Sequence, residues 1–96
     1  MRTVWKWQID PDSRRDAMWR IVLPDVPRGA IPLRVMLQFD KVCIWFEVDP
    51  DAPKESYTLF SLGTGFGTFH ADSGLVYMDS VVHGDYVWHI YHKEHA

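Results

Sequence analysis

The segment Gly63-Thr64-Gly65-Phe66-Gly67-Thr68 has the residue types of an anion-cradling loop. Such loops converge backbone N–H groups on an anion, usually at a helix N-terminus. A phosphate loop also needs Gly-Lys-Ser/Thr, and this segment has no lysine. A dinucleotide loop needs Gly-x-Gly-x-x-Gly ahead of a helix; here the spacing is Gly-x-Gly-x-Gly. The segment therefore reads as a connection between strands. The alternative is a ligand or partner contact, with Phe66, Thr68, Phe69 and His70 as its pocket.

His83, His89, His92 and His95 crowd the end of the chain. On a strand, His89 and His92 point to opposite faces. Zinc needs three or four converging donors, so a solvated edge and tail is expected and no metal site is assigned. His83 could face His89 across a hairpin. Asp49, Asp51 and Glu55 are acidic enough for calcium, but Pro50 and Pro53 interrupt them and the loop glycine is missing. Cys43 lies among Val42, Ile44 and Phe46, the setting of a buried, inert thiol. Nothing positions a base beside it. No Gly-x-Ser-x-Gly elbow occurs. No catalytic residue and no cofactor is assigned, and an enzyme is not expected; a small hydrolase is the least supported reading.

Five tryptophans in 96 residues are the more telling feature. A small core absorbs about three such side chains, and the others would be left as interface anchors. Trp5 and Trp7 share one face of the first strand. The expected binding residues are Trp5, Trp7, Phe66, Phe69, His70 and Trp88.

These residues sit in segments that alternate with period two. Strands are expected at Thr3 to Ile9, Ala17 to Leu23, Ile31 to Phe39, Val42 to Val48, Ser56 to Leu62, Leu75 to Val82 and Tyr86 to His92. Val42 to Val48 is apolar on both faces apart from Glu47, which marks a central strand. Asp40-Lys41 reads as a two-residue hairpin turn. Pro24-Asp25-Val26-Pro27-Arg28-Gly29 reads as a rigid connector outside the ladder. The best helical alternative is Asp12 to Trp19, with Ser13 as cap and Asp16 in the capping-box position. The tail after Lys93 is expected to fray.

The expected fold is all-β: a single domain over residues 1–96, a small sandwich or partly open barrel of six to seven antiparallel strands. Mostly sequential hairpins would connect them. Its edge strands, the first and the last, could be covered by a second subunit, making a homodimer.

Ten basic and thirteen acidic residues give a net charge of −3. Eight basic and six acidic residues fall in 1–48, two and seven in 49–96. That distribution lacks the basic stripe of a general nucleic-acid binder. No apolar run reaches the roughly 20 residues of a membrane span. Met1 to Asp10 has no signal-peptide core, and a single cysteine fits a reducing compartment.

Several motifs occur together in order: Val4-Trp5-Lys6-Trp7, Leu23-Pro24, Gly29-Ala30, Cys43-Ile44-Trp45, Val48-Asp49-Pro50, Gly63-Thr64-Gly65, His83-Gly84 and Val87-Trp88-His89-Ile90-Tyr91. The arrangement resembles a family of short bacteriophage and prophage proteins of unknown function, over nearly the whole chain. Gly65-Phe66-Gly67 departs from the Gly-His-Pro continuation of that family. The resemblance implies a phage-encoded protein acting in the host bacterial cytoplasm and supplies no catalytic residues. The expected role is an accessory protein that binds a host protein, inhibiting a defence or metabolic system. The alternatives are an oligomer that sequesters a nucleotide-like ligand and a minor virion component.

Overall fold

A computed structural model describes residues 1–93; His95 and the tail beyond Lys93 lie outside them. The described residues form seven strands and no helix: β1 (Thr3–Gln8), β2 (Arg20–Pro27), β3 (Ile31–Gln38), β4 (Lys41–Val48), β5 (Lys54–Gly63), β6 (Leu75–His83) and β7 (Tyr86–Lys93). All pairings are antiparallel, in two sheets ordered β1-β4-β3 and β2-β5-β7-β6. The all-β expectation is met, and β4 is central in its sheet.

The connectivity differs from a run of sequential hairpins. Only β3–β4 and β6–β7 pair as consecutive strands; β1–β4, β2–β5 and β5–β7 pair across intervening chain. Two sheets packed face to face need crossovers between layers, and local alternation carries no information about them. β3 runs beside β6, but side chains bridge that seam: Val35 N donates to Asp79 Oδ2 at 3.1 Å, and Arg34 Nε lies 3.7 Å from the same oxygen. The sheets do not close into a barrel.

The core lies between the layers. Val35, Val42, Ile44, Phe46 and Val48 from one sheet meet Leu23, Leu59, Val81, Trp88 and Ile90 from the other. Cys43 is buried although it faces outward. Gln8 and Met36 flank it on the neighbouring strands, and Lys6 Nζ donates to Gln38 Oε1 across β4 at 2.7 Å.

Three local expectations are corrected. First, the Pro24–Gly29 connector pairs as strand through Pro27, with a register shift between Leu23 and Val26 and Asp25 at φ +56°. A bulge lets a strand carry a residue with no N–H, because the extra residue drops out of the ladder. Second, the β3–β4 turn is Phe39-Asp40, closed by the pair Gln38 and Lys41. Both turn residues have positive φ, +51° and +62°, as a type I′ turn requires. Third, β2 begins at Arg20, so Ala17, Met18 and Trp19 lie outside the strand expected from Ala17; residues 14–18 form turns, and the helical alternative is not adopted. The Ser13 hydroxyl donates to the Ser61 carbonyl across the domain instead of capping a helix.

Candidate functional site

The solvent face of the β2-β5-β7-β6 sheet carries two rows of facing residues. Leu62, His89 and Ser80 form one, and Phe60, Tyr91 and Tyr77 form the other. In a regular strand, Tyr77 and Ser80 would point to opposite faces, being three apart. A register shift between Tyr77 and Asp79 inserts one extra residue and returns Ser80 to the face of Tyr77.

The result is a chain of polar side chains. Thr64 Oγ1 and His89 Nε2 are 2.7 Å apart; His89 Nδ1 and Ser80 Oγ are 2.8 Å apart; Ser80 Oγ and Tyr77 OH are 2.6 Å apart. An aromatic wall adjoins it. Tyr91 contacts Phe69 at 5.0 Å and Tyr77 at 5.6 Å between ring centroids. Tyr77 is 54% exposed and Phe69 43%, so the wall is open to solvent.

The loop after β5 is shaped to serve both faces of this sheet. Thr64 N donates to the Val87 carbonyl at 3.1 Å and Phe66 N to the Gly63 carbonyl at 3.0 Å. The Phe66 ring folds over Gly63, where a Cβ would lie 2.2 Å from two ring carbons. Only glycine admits that approach. At Gly67, with φ +89°, a Cβ would lie 2.4 Å from Leu62 Cδ2, so the loop lies tight on Leu62 and Trp19. Thr64 is left exposed between two glycines.

Phe66, Tyr86 and Trp88 form a second cluster, with Phe66 5.3 Å from Tyr86 and 5.8 Å from Trp88. The Arg14 guanidinium stacks on all three, nearest Tyr86 at 4.8 Å. Asp12 fixes it through Arg14 Nε at 2.9 Å and a second, shorter contact from Nη2. Hydrogen bonding to Arg14 holds the Asp12 carboxyl down at about 2, and Asp12 in turn raises Arg14.

The residues expected to bind do not converge. Trp5 and Trp7 share a face, as alternation requires, but it is the inner one; opposite Phe46 and Ile44 on β4, they are half-buried against the core. Trp7 meets Phe46 edge-on at 5.3 Å, and Lys54 Nζ lies 5.8 Å from the Trp5 ring. Trp88, expected as an open anchor, is a correction: it is 1% exposed, in the core, because β7 is an inner strand of its sheet. Phe66 turns toward Trp88 while Phe69 turns toward Tyr91. His70 and Thr68 are exposed in the loop. His83 pairs with Tyr86, not His89. Asp49 Oδ1 accepts from Asp51 N at 3.0 Å, and Glu55 pairs with Arg28 at 3.3 Å.

Two features escape sequence reasoning. One is the Thr64–His89–Ser80–Tyr77 chain, whose only sequence signal is His89 and Tyr91 on one face of β7. The other is Phe39, which reads as the last apolar residue of β3 and stands instead at the hairpin tip, 88% exposed. A cleft of about 600 Å³ reaches Phe60 from the β2–β5 side, lined also by Val26, Arg28, Tyr57 and Lys93 among others; its Arg28 is already paired to Glu55. Among the described residues no helix is long and apolar enough to cross a membrane, and no group of His, Cys, Asp and Glu is placed to hold a metal.

No curated protein and no solved structure matches the chain. The family model for the domain of unknown function DUF7352 matches residues 1–96, and the chain belongs to that family.

Proposed function

We propose that this chain is a phage-encoded accessory protein that acts in the host cytoplasm by binding a host protein, and that β3 with its hairpin tip is the contact surface. The phage origin and the compartment rest on the ordered motifs from Val4-Trp5-Lys6-Trp7 to Val87-Trp88-His89-Ile90-Tyr91. Inhibition of a defence or metabolic enzyme is the form such binding takes in this reading.

The observation that carries the binding surface is Phe39. A large aromatic side chain projects from a tight turn into solvent, on a backbone of φ +51° that disfavours it. Strain of this kind persists where function retains it. Ile31, Leu33, Met36 and Leu37 on the same strand are about half exposed. They divide between the two faces of β3, Met36 opposite outward-facing Cys43 and Leu37 opposite Val42; exposed apolar residues of this kind beside a protruding ring suit a protein interaction site. A protruding aromatic ring fits a pocket in a partner, the usual arrangement of an interface anchor.

The test is affinity capture from a bacterial host lysate, followed by titration of the captured protein with wild type and Phe39→Ser. The expected loss is at least thirtyfold in affinity, about 2 kcal/mol. Undiminished affinity in Phe39→Ser removes β3 as the contact surface. Sedimentation of the chain alone tests a homodimer on the same surface: dissociation in Phe39→Ser would identify the partner as a second copy.

A further inference from the structure

Each hydroxyl of the Thr64–His89–Ser80–Tyr77 chain can donate or accept, so the chain can run in either direction, and one of the two sets a base on Thr64. A neutral imidazole has one donor and one acceptor nitrogen. With the proton on Nδ1, His89 donates to Ser80 Oγ, and Nε2 is left to accept the proton of Thr64 Oγ1. Ser80 keeps its own hydroxyl proton for Tyr77 OH. That places a hydroxyl on a base, and the base on an orienting group, each within 2.6–2.8 Å. It is the arrangement by which a hydroxyl is activated as a nucleophile. Thr64 is also accessible: it is exposed, flanked by Gly63 and Gly65, and its backbone is held by Val87.

We propose that Thr64 Oγ1 is an activated nucleophile that accepts an acyl group from an activated ester. Thr64 Oγ1 attacks the ester carbonyl carbon and forms a new C–O bond, while His89 Nε2 takes the hydroxyl proton. The tetrahedral intermediate collapses, the bond to the leaving oxygen breaks, and that oxygen departs with the electron pair. The proton held by His89 passes to the leaving group or to water, and Thr64 is left as an ester. Ser80 and Tyr77 are positioning residues that hold the imidazole ring in line with Thr64 Oγ1. The exposed wall of Phe69, Tyr77 and Tyr91 suits an aryl or other apolar acyl donor. The orienting group is a neutral hydroxyl, not a carboxylate, so it stabilises the imidazolium weakly. The chemistry is therefore limited to donors with good leaving groups and does not extend to amides. This reactivity goes beyond the binding reading and does not depend on it.

The test treats the folded chain with p-nitrophenyl acetate, follows p-nitrophenolate release, and locates the acetyl adduct by peptide mass spectrometry. The expected result is an adduct on Thr64 whose formation slows about a hundredfold in His89→Gln, the range for losing a general base. Thr64→Ser should retain the adduct at position 64 and Thr64→Val should lose both adduct and burst. Urea unfolding of each variant checks its fold; if His89→Gln does not fold, the Thr64→Ser and Thr64→Val pair decides. Wild-type protein acetylated only at lysines, the N-terminus or Cys43 overturns the proposal. So does equal labelling of Thr64 in folded His89→Gln. A burst that persists in Thr64→Val assigns the nucleophile to another group and also overturns it.

Discussion

Ser13 and Ser61 tie the first long loop to the middle of the second sheet. The Ser13 hydroxyl donates to the Ser61 carbonyl, and the Ser61 hydroxyl donates to the Pro11 carbonyl at 2.6 Å. Both serines are buried, and Ser61 N also donates to the Trp19 carbonyl at 2.9 Å. Residues 10–19 have no ladder of their own, so these bonds replace one. They also place Arg14 over Tyr86 and Trp19 against Gly67.

Removing either hydroxyl therefore withdraws the donor from a buried carbonyl. Ser61→Ala should cost about 1–3 kcal/mol, the penalty for a buried group left without its partner. Ser13→Ala should cost a similar amount. Because the two bonds hold one loop, the double variant should lose less than the sum. Urea unfolding of the three variants measures this, and losses within about 0.5 kcal/mol of zero would show that the loop is held by something else.

Trp88 and Trp7 should respond differently to truncation. Trp88 is enclosed by the core, and Trp88→Ala leaves a cavity, costing about 3–5 kcal/mol. Trp7 is half-buried on edge strand β1, so Trp7→Ala should cost clearly less. Equal losses in denaturant unfolding would contradict the burial difference.

The turn at Phe39 predicts a gain. Asparagine tolerates the left-handed conformation that phenylalanine resists, and nothing of the exposed ring is packed in the free chain. Phe39→Asn should stabilise the protein by about 1 kcal/mol, read as a higher melting temperature. A drop in melting temperature would mean that the ring packs within the domain.

Asp12 predicts a pH dependence. Its carboxyl is held at about 2 by the Arg14 hydrogen bond, against a usual value of 3.8. A lowered value in the folded state means that the charged form is the one folding favours. The contribution of the pair is thus fully present above pH 3.8 and is lost as the pH falls toward 2. Wild type should exceed Asp12→Asn in stability at neutral pH, with the gap closing across that interval. The pair is solvent-exposed, so added salt should narrow the gap too. A gap that stays constant from pH 7 to pH 2 would rule out the ion pair as its origin.

Much of the architecture was legible in period-two alternation. Trp5 and Trp7 fell on one side of β1, and the doubly apolar run Val42 to Val48 marked β4 as central, because side-chain direction along a strand depends only on the chain's own backbone. Burial of Cys43 followed from the same run. Alternation is silent about which strand lies beside which. It missed the β1–β4 and β5–β7 pairings, and with them the burial of Trp88 on an inner strand. It failed outright where the backbone left the two-residue repeat. One extra residue between Tyr77 and Asp79 turned Ser80 to the face of Tyr77, and two left-handed residues moved Phe39 off its strand onto the tip of a turn. The tertiary structure alone decided those positions. A bulge or a turn is set together with the register of the paired strand, and although β4 and β7 follow β3 and β6 directly, each is held on its other side by a strand distant in sequence, β1 or β5, which alternation does not report.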